Sequence, residues 1–207
     1  IKNNMKLKVC GMKFQSNISK VSKLKPDFMG FIFWSKSKRF FNEKSILISN
    51  KINKVGVFVN QDYDFIEEKI NNFKLDFVQL HGEEDYQFCK KIKNRCKVIK
   101  VFNIGTNFDF KILNSFESVC DYFLFDTKGD SYGGNGIKFN WKLLKKYPSK
   151  IPFLLSGGID LTDFTEILKI KELEIPLIGI DINSKFELKP GLKDIKKVKE
   201  LIKKMKK

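Results

Sequence analysis

The sequence has no alanine, a single histidine and only two arginines. Its four cysteines form no C-x-x-C pair, so the ligand spacing of a structural zinc site is missing. No apolar run approaches the roughly 18 residues needed to span a bilayer, and no segment rich in glycine, serine and proline divides the chain. These absences argue against a zinc module and a membrane-spanning protein, and they predict that residues 1–207 form one domain.

The sequence has a large excess of lysine, with 40 Lys and Arg against 24 Asp and Glu and a formal net charge of +16. The lysines are spread along the whole chain, and the only dense basic run is at 203–207. Lys, Asn, Ile and Phe have A/T-rich codons, so this composition is typical of drift in an A/T-biased genome. With no arginine-rich segment or nucleic-acid motif, we predict no specific nucleic-acid partner. Scattered cysteines without a signal peptide favour the cytoplasm.

Eight short apolar runs alternate with segments of helical period. The runs predicted as strands are 7–10, 29–33, 55–59, 77–80, 98–102, 122–125, 152–155 and 177–180. Apolar residues at helical spacing predict helices around 65–73, 88–92, 108–116, 141–147, 164–168 and 195–205, with less regular ones near 17–24 and 43–50. Eight near-equal units favour an α/β fold, a closed (β/α)₈ barrel, over the alternative of a doubly wound open sheet.

Two chemically capable residues stand where predicted strands end, which is where a barrel carries its active site. Asp126 follows the run 122–125, and Cys10 ends the first run. Each has a plain structural alternative, an acid that terminates a strand and a small buried thiol. Together they would form an acid–base pair in which one group removes a carbon-bound proton and the other protonates an oxygen.

The other predicted strand ends carry groups suited to binding anions. Arg39 is one of two arginines among many lysines, which favours a planar carboxylate partner, although chance retention stays open. His81 follows the fourth strand and would contact substrate or cap a turn. Glycines after the seventh strand and polar residues after the eighth match the phosphate site common in barrels, namely Gly157, Gly158, Asn183 and Ser184.

These residues lie in segments that resemble the phosphoribosylanthranilate isomerase family, in family order and across nearly the whole chain. The segments are KVCGM (8–12), FWSKSKRF (33–40), VGVFVN (55–60), VQLHGEE (78–84), FDTKGDSYGGNGIKFNW (125–141), LSGGI (155–159), GIDINSKFE (179–187) and PGLKD (190–194). The resemblance implies a (β/α)₈ enzyme of tryptophan biosynthesis. It would be an aldose–ketose isomerase that uses neither cofactor nor metal and acts as a monomer or homodimer.

The resemblance also implies a role for each matching residue in the family's Amadori rearrangement of N-(5-phosphoribosyl)anthranilate. Asp126 would protonate the furanose oxygen, and Cys10 would then remove the C2 proton of the resulting Schiff base. Arg39 would bind the anthranilate carboxylate, and the glycines with Asn183 and Ser184 would bind the phosphate. Asp181 would contact the anthranilate-side amine or orient its loop, and His81 would, more loosely, contact the substrate. The glycine-rich segment 133–136 would form a mobile loop at the mouth.

The chain departs from the family pattern at four positions. Lys13 replaces a helix-capping threonine, which predicts a looser first helix, and Asn135 replaces Ser or Thr. Asn140 replaces an Asp and should still cap a helix. Lys185 stands at a usual glycine position, which predicts backbone strain if φ is positive there.

Two rival functions lead to different expectations. A ribulose-phosphate epimerase would need metal-binding histidines, which a chain with only His81 lacks. A basic binding module without catalysis would show no turnover and salt-sensitive binding of polyanions.

Overall fold

The structure, a computed structural model, describes residues 5–127 and 138–206 and contains a closed barrel of eight parallel strands. Each strand pairs with its neighbour in the sequence, and β1 pairs with β8 to close the ring. The predicted barrel is therefore confirmed and the open-sheet alternative is wrong. The strands are β1 Lys6–Val9, β2 Phe28–Ile32, β3 Asn53–Phe58, β4 Phe77–Leu80, β5 Lys97–Ile104, β6 Tyr122–Thr127, β7 Phe153–Leu155 and β8 Leu177–Ile182.

Side chains alternate between the inside of the barrel and the layer under the helices, as strand geometry requires. On β1, Leu7 and Val9 join the outer apolar core, whereas Cys10 just beyond the strand joins the inner one. The inner core consists of Cys10, Phe28, Val55, Val57, Phe77, Ile99, Val101, Leu124 and Leu154. Both faces of the sheet are therefore buried, which explains why the strands are near-continuous apolar runs.

Aromatic side chains close the barrel at the end where the strands begin. The rings of Phe28 and Phe77 meet edge to face at 5.5 Å between centroids, and Tyr122 stacks on Phe77 at 5.5 Å. The ammonium of Lys6 lies 5.6 Å from the Phe28 ring centroid and 5.7 Å from that of Tyr122, within cation–π range. We call these three rings the aromatic floor. Any pocket in the barrel must open at the opposite end.

Five α-helices lie in the described part of the chain: α1 Gln15–Ser22, α2 Tyr63–Phe73, α3 Tyr86–Lys93, α4 Phe164–Lys171 and α5 Ile195–Met205. Asp62, Asp85 and Asp194 cap α2, α3 and α5 by accepting bonds from backbone amides of the first turn. The first helix begins at Gln15, and its N-cap residue Phe14 provides no side-chain hydrogen bond. None of the described helices has both the length and the apolar character that crossing a membrane requires.

The helix predicted near 43–50 is wrong, because that segment has no regular structure. Phe41 and Ile46 are buried there, but Leu47 is 68% exposed, so its apolar residues do not share one face. The segments 108–116 and 141–147 form the short 3₁₀ helices Phe110–Phe116 and Trp141–Lys146, the second capped by Asn140 as expected. Asn135 and the glycine-rich segment 133–136 lie outside the described residues.

The segment after β8 differs most from expectation. Ser184–Phe186 is a 3₁₀ turn, and an unpredicted antiparallel hairpin follows, formed by β9 Glu187–Lys189 and β10 Leu192–Lys193. Lys185 is not among the described residues other than glycine that have positive φ. The expected strain at Lys185 is therefore wrong, because a 3₁₀ turn uses ordinary negative φ values.

Candidate active site

A cavity of about 400 Å³ opens at the carboxyl ends of the strands, as in other barrels of this kind. All nine residues predicted for the site line it: Cys10, Arg39, His81, Asp126, Gly157, Gly158, Asp181, Asn183 and Ser184. Asp126 and Asp181 lie near the ends of β6 and β8, and the other seven follow β1, β2, β4, β7 and β8. The fold therefore brings together side chains that are spread over 175 positions of sequence.

Asp126 is a buried carboxyl on β6 at the wall of the cavity. Its Oδ1 accepts a hydrogen bond from the Thr127 amide at 2.8 Å. Burial raises the pKa of Asp126 to about 6, because desolvation disfavours the carboxylate more than this hydrogen bond and the charge of Lys8 favour it. A carboxyl with this pKa keeps a fraction of its protons near neutral pH and can act as an acid.

His81 lies beside Asp126, with 3.5 Å between its Nε2 and Asp126 Oδ2. Burial, together with the charges of Lys8 and Lys100, lowers the pKa of His81 to about 3. The imidazole is therefore neutral at physiological pH, and the contact is not an ion pair. Within the described residues, Nε2 is buried without a hydrogen-bond partner, which leaves it available to a ligand.

Cys10 is buried at the end of β1 and faces the cavity. Its sulfur packs on the backbone of β2, where a Cβ at Gly30 would come within 2.7 Å of Sγ. Burial raises the thiol pKa of Cys10, while the nearby Lys8 charge opposes that rise. Cys89, Cys96 and Cys120 are also free and buried, away from this cavity.

Beneath Cys10 lies a buried ion pair between Lys8 and Asp181. The two residues are register partners on β1 and β8, and Lys8 Nζ lies 3.0 Å from Asp181 Oδ1. The contact does not have the angles of a hydrogen bond. Within the described residues, Lys8 Nζ and Asp181 Oδ1 therefore lack a hydrogen-bond partner. Asp181 keeps the Lys8 pKa above its usual value against the effect of burial, and Lys8 is therefore charged.

Arg39 reaches the cavity from the loop after β2 and binds an internal carboxylate. Its Nε lies 3.0 Å from both oxygens of Glu187, and its Nη2 donates to Oε2 at 2.7 Å. Lys193 donates to Glu187 Oε1 at 2.6 Å and to Asn183 Oδ1 at 2.7 Å. Arg39, Asn183, Glu187 and Lys193 thus connect the loop after β2, the loop after β8 and the hairpin; we call them the hairpin cluster.

Burial and neighbouring charges together determine the pKa values of Glu187 and Lys193 in the hairpin cluster. Burial opposes ionisation of Glu187, but the hydrogen bond from Arg39 and the charge of Lys193 hold its pKa below the usual value. Burial lowers the Lys193 pKa to about 8. A Cβ at Gly11 would lie 2.6 Å from the Arg39 side chain and 2.7 Å from Asn183 Oδ1. The cluster therefore packs directly on the backbone that follows Cys10.

Loops after β7 and β8 supply the backbone groups expected to bind phosphate. Gly157 and Gly158 have φ values of 91° and 63°, which favour glycine. A Cβ at Gly157 would clash with Thr127 Oγ1 and lie 3.2 Å from Asp126 Oδ1. Gly157 therefore also allows the loop after β7 to pass against the carboxyl of Asp126.

The loop that follows β4 is held by a buried carboxylate. Glu84 accepts hydrogen bonds from the amides of Asn60 and Gly82, each at 2.9 Å, and from Lys100 Nζ at 2.9 Å. Lys100 also donates to the Gly82 carbonyl at 2.7 Å. This ion pair fixes the segment immediately after His81 and thereby the position of the imidazole.

Several groups that line the cavity were given no individual role from the sequence. They are Trp34, Lys36 and Lys38 in the loop after β2 and Gln79 on β4. Glu187 and Lys193 lie within the matching segments GIDINSKFE and PGLKD, yet no pattern assigned them a role. Within residues 5–127 and 138–206, no three His, Cys, Asp or Glu side chains form a group that could hold a metal ion.

Comparison with known proteins places the chain in a family. The family model described as "N-(5'phosphoribosyl)anthranilate (PRA) isomerase" matches residues 7–204. An N-(5'-phosphoribosyl)anthranilate isomerase from Parabacteroides distasonis is 42% identical over 205 residues, which cover 96% of this chain and 92% of the relative.

Two solved structures are also similar. Phosphoribosyl anthranilate isomerase from Thermotoga maritima superposes with a TM-score of 0.87 at 30% identity, covering 98% of each chain. An isomerase of the same name in complex with reduced 1-(o-carboxyphenylamino)-1-deoxyribulose 5-phosphate gives a TM-score of 0.82 at 27% identity, again covering 98% of each chain. The chain belongs to the N-(5'-phosphoribosyl)anthranilate isomerases, the isomerases of tryptophan biosynthesis with a (β/α)₈ barrel.

Proposed function

We propose that the chain rearranges N-(5'-phosphoribosyl)anthranilate with Cys10 as general base and Asp126 as general acid. The observation that carries this proposal is that the thiol of Cys10 and the carboxyl of Asp126 line one cavity, at the ends of β1 and β6. The two groups differ in acidity. The pKa of Asp126, raised by burial to about 6, suits a group that must be protonated to act.

The reaction follows from these two roles. Asp126 gives its proton to the furanose ring oxygen, and cleavage of the C1–O bond leaves a Schiff base. Cys10 as thiolate removes the C2 proton, and the C2–H electron pair forms the C1=C2 bond while the C1=N π pair returns to nitrogen, which gives an enolamine. Loss of the proton on the C2 oxygen and gain of a proton at C1 then yield the ketone, the 1-deoxyribulose phosphate. Neutral His81, 3.5 Å from Asp126, is suited to orient the carboxyl or a substrate hydroxyl.

The proposed substrate has a carboxylate at one end and a phosphate at the other. Both groups are negatively charged, but they differ in shape and so need different binding groups. We assign the anthranilate carboxylate to Arg39, because guanidinium binds carboxylates in a planar, two-pronged way. The phosphate is assigned to the loops of Gly157, Gly158, Asn183 and Ser184, whose backbone can approach an anion closely. Asp181 is assigned to the anthranilate-side amine or to the orientation of the loop after β8. A structural neighbour is in complex with reduced 1-(o-carboxyphenylamino)-1-deoxyribulose 5-phosphate, a ligand that has both a carboxylate and a phosphate, which supports a substrate with these two groups.

The two pKa values imply that only a minority of enzyme molecules has the reactive protonation state. Asp126 must be protonated although its pKa is about 6, and Cys10 must be ionised although burial raises its pKa. Between these two pKa values the fraction of competent enzyme is constant, and it falls outside them, so kcat/KM should be bell-shaped in pH. Each unit of separation between the two pKa values lowers that fraction about tenfold.

The proposal extends to the whole chain. We infer that residues 1–207 act as one catalytic domain, in the cytoplasm, as a monomer or homodimer and without a nucleic-acid partner. The +16 charge then serves at most to attract anionic ligands non-specifically.

Loss of the fluorescence of the anthranilate sugar, measured with purified protein, tests the assignment. We expect turnover by the wild type and loss of at least about 10³-fold in kcat for Cys10→Ala and Asp126→Ala. Cys96→Ala removes a buried thiol away from the cavity and serves as the matched control. An inactive wild type, or full activity in both site variants, would refute the assignment.

A further inference from the structure

A buried lysine lies directly under the Cys10 thiol. Lys8 precedes Cys10 by two residues on β1, so both side chains point into the barrel. The Lys8 side chain is 0% exposed, and its Nζ has no hydrogen-bond partner within the described residues. A buried ammonium with unused donors is costly unless it compensates a negative charge.

We propose that Lys8 is a positioning residue of the reaction whose ammonium stabilises the Cys10 thiolate. This inference rests on the proposed role of Cys10 as general base. The thiol proton leaves to water through the open mouth before substrate binds, and the remaining negative charge on sulfur is compensated by Lys8.

Asp181 competes with Cys10 for this cation. Lys8 Nζ lies 3.0 Å from Asp181 Oδ1, but the pair is not hydrogen-bonded in that geometry. Burial raises the pKa of both Asp181 and Cys10, so ionising both at once against one lysine is unfavourable. Loss of negative charge at Asp181 should therefore favour the thiolate, and loss of Lys8 should disfavour it.

Other charges act on Cys10 less directly. The charges that act on the thiol are those of Lys8 on its own strand, Asp181 on β8 and Lys193 on β10. Arg39 in the loop after β2, His81 after β4 and Asp126 on β6 line the same cavity, as do Lys36, Lys38 and Lys185. His81 is neutral, and the charges of Arg39 and Lys193 are already bound by Glu187. Among these groups, and within the described residues, Lys8 is the cation whose ammonium is buried without a hydrogen-bond partner.

The test measures the ionisation of Cys10 directly. Iodoacetamide is used at a series of pH values, and modification of the peptide that contains Cys10 is followed by mass spectrometry. Lys8→Met should raise the pKa of the thiol by about one unit or more. Lys6→Met is the matched control, because Lys6 is the preceding inward lysine and contacts the aromatic floor instead; it should leave the thiol pKa unchanged.

Kinetics must agree with the alkylation data. In Lys8→Met the alkaline limb of kcat/KM should move up with the thiol pKa, and the plateau should fall by the same factor, about tenfold per unit. A lower plateau with an unmoved limb and an unmoved thiol pKa would show a structural role only and overturn the proposal.

Asp181→Asn keeps the proposal testable if Lys8→Met does not fold. It should lower the thiol pKa of Cys10, the opposite direction, because Lys8 then has no competing carboxylate. An unchanged or higher thiol pKa in this variant would overturn the proposal. Full activity of Cys10→Ala would instead refute the role of Cys10 as base. The alkylation data would still show separately whether Lys8 lowers the pKa of the Cys10 thiol.

Discussion

Arg39 and Glu187, 148 positions apart in the sequence, form a two-pronged ion pair at the rim of the cavity. A carboxylate that holds one edge of a guanidinium fixes the plane of the whole group. The same carboxylate binds Lys193, which in turn holds Asn183. The carboxylate end and the phosphate end of the proposed substrate site are therefore connected through one buried acid.

Removing the charge of Glu187 should weaken substrate binding more than it slows the chemical step. For Glu187→Gln we expect KM to rise about tenfold, the equivalent of one charge-assisted hydrogen bond, with kcat changed less. Glu200→Gln, an exposed acid on α5, provides the control in the same fluorescence assay. An unchanged KM with a lower melting temperature would mean that Glu187 serves folding alone.

Lys185 offers a test of the backbone after β8. Because its φ is not positive, Lys185→Gly should relieve no strain and should lower the free energy of unfolding by about 0.5–1 kcal/mol through backbone entropy. KM should rise a few-fold in low salt and less in high salt, since a cation at the mouth is lost.

Lys185→Gln separates the two effects, because it removes the charge and keeps the backbone. It should reproduce the change in KM without the loss of stability in urea unfolding. A gain in stability for Lys185→Gly would instead indicate strain at this position.

Asp126 should reduce the stability of the fold at neutral pH. Its folded-state pKa of about 6 lies above the ordinary value of 3.8, so the folded state binds its proton more tightly and stability is lost as pH rises between these values. Asp126→Asn should therefore raise the free energy of unfolding by about 3 kcal/mol at pH 8 and hardly at all near pH 4.

Urea unfolding at both pH values measures this difference. Asp64→Asn, at an exposed position in the first turn of α2, is the comparison and should show no such pH dependence. Equal gains for Asp126→Asn at pH 4 and pH 8 would contradict the raised pKa.

Lys100 should be needed for the loop that carries His81. Lys100→Met leaves the buried carboxylate of Glu84 without its cation, so we expect a loss of about 3–5 kcal/mol in the free energy of unfolding. Lys97→Met, an exposed lysine on the same strand, should cost far less. Similar losses in the two variants would show that the ion pair does not anchor this loop.

The barrel was predictable because its signals are local. β4 matches the predicted run 77–80, and the other seven strands differ from their predicted runs by one or two residues at an end. β5 extends to Ile104 because Asn103 and Ile104 pair with Asp126 and Thr127 on β6, a contact that no local pattern encodes. The irregular packing of Phe41 and Ile46 likewise depends on distant neighbours, so the segment 43–50 was mistaken for a helix.

The site was predictable only where a residue follows a strand end or matches a family segment. The hairpin cluster joins Arg39 to residues that are far away in the sequence. Glutamate and lysine are common in this chain, so their residue type alone does not indicate a site. Lys8 did have a usable signal, since its spacing of two from Cys10 places both on the same face of β1. In a chain with 40 Lys and Arg residues, one lysine at that spacing is a weak signal.

The aromatic floor has a consequence for the catalytic cycle. Within the described residues, Phe28, Phe77 and Tyr122 block the end of the barrel opposite the cavity, so ligands enter at the carboxyl ends of the strands. Substrate and product must exchange through the same opening, and neither can enter while the other is bound. The product should therefore inhibit competitively, and the rate at which it departs sets an upper limit on turnover.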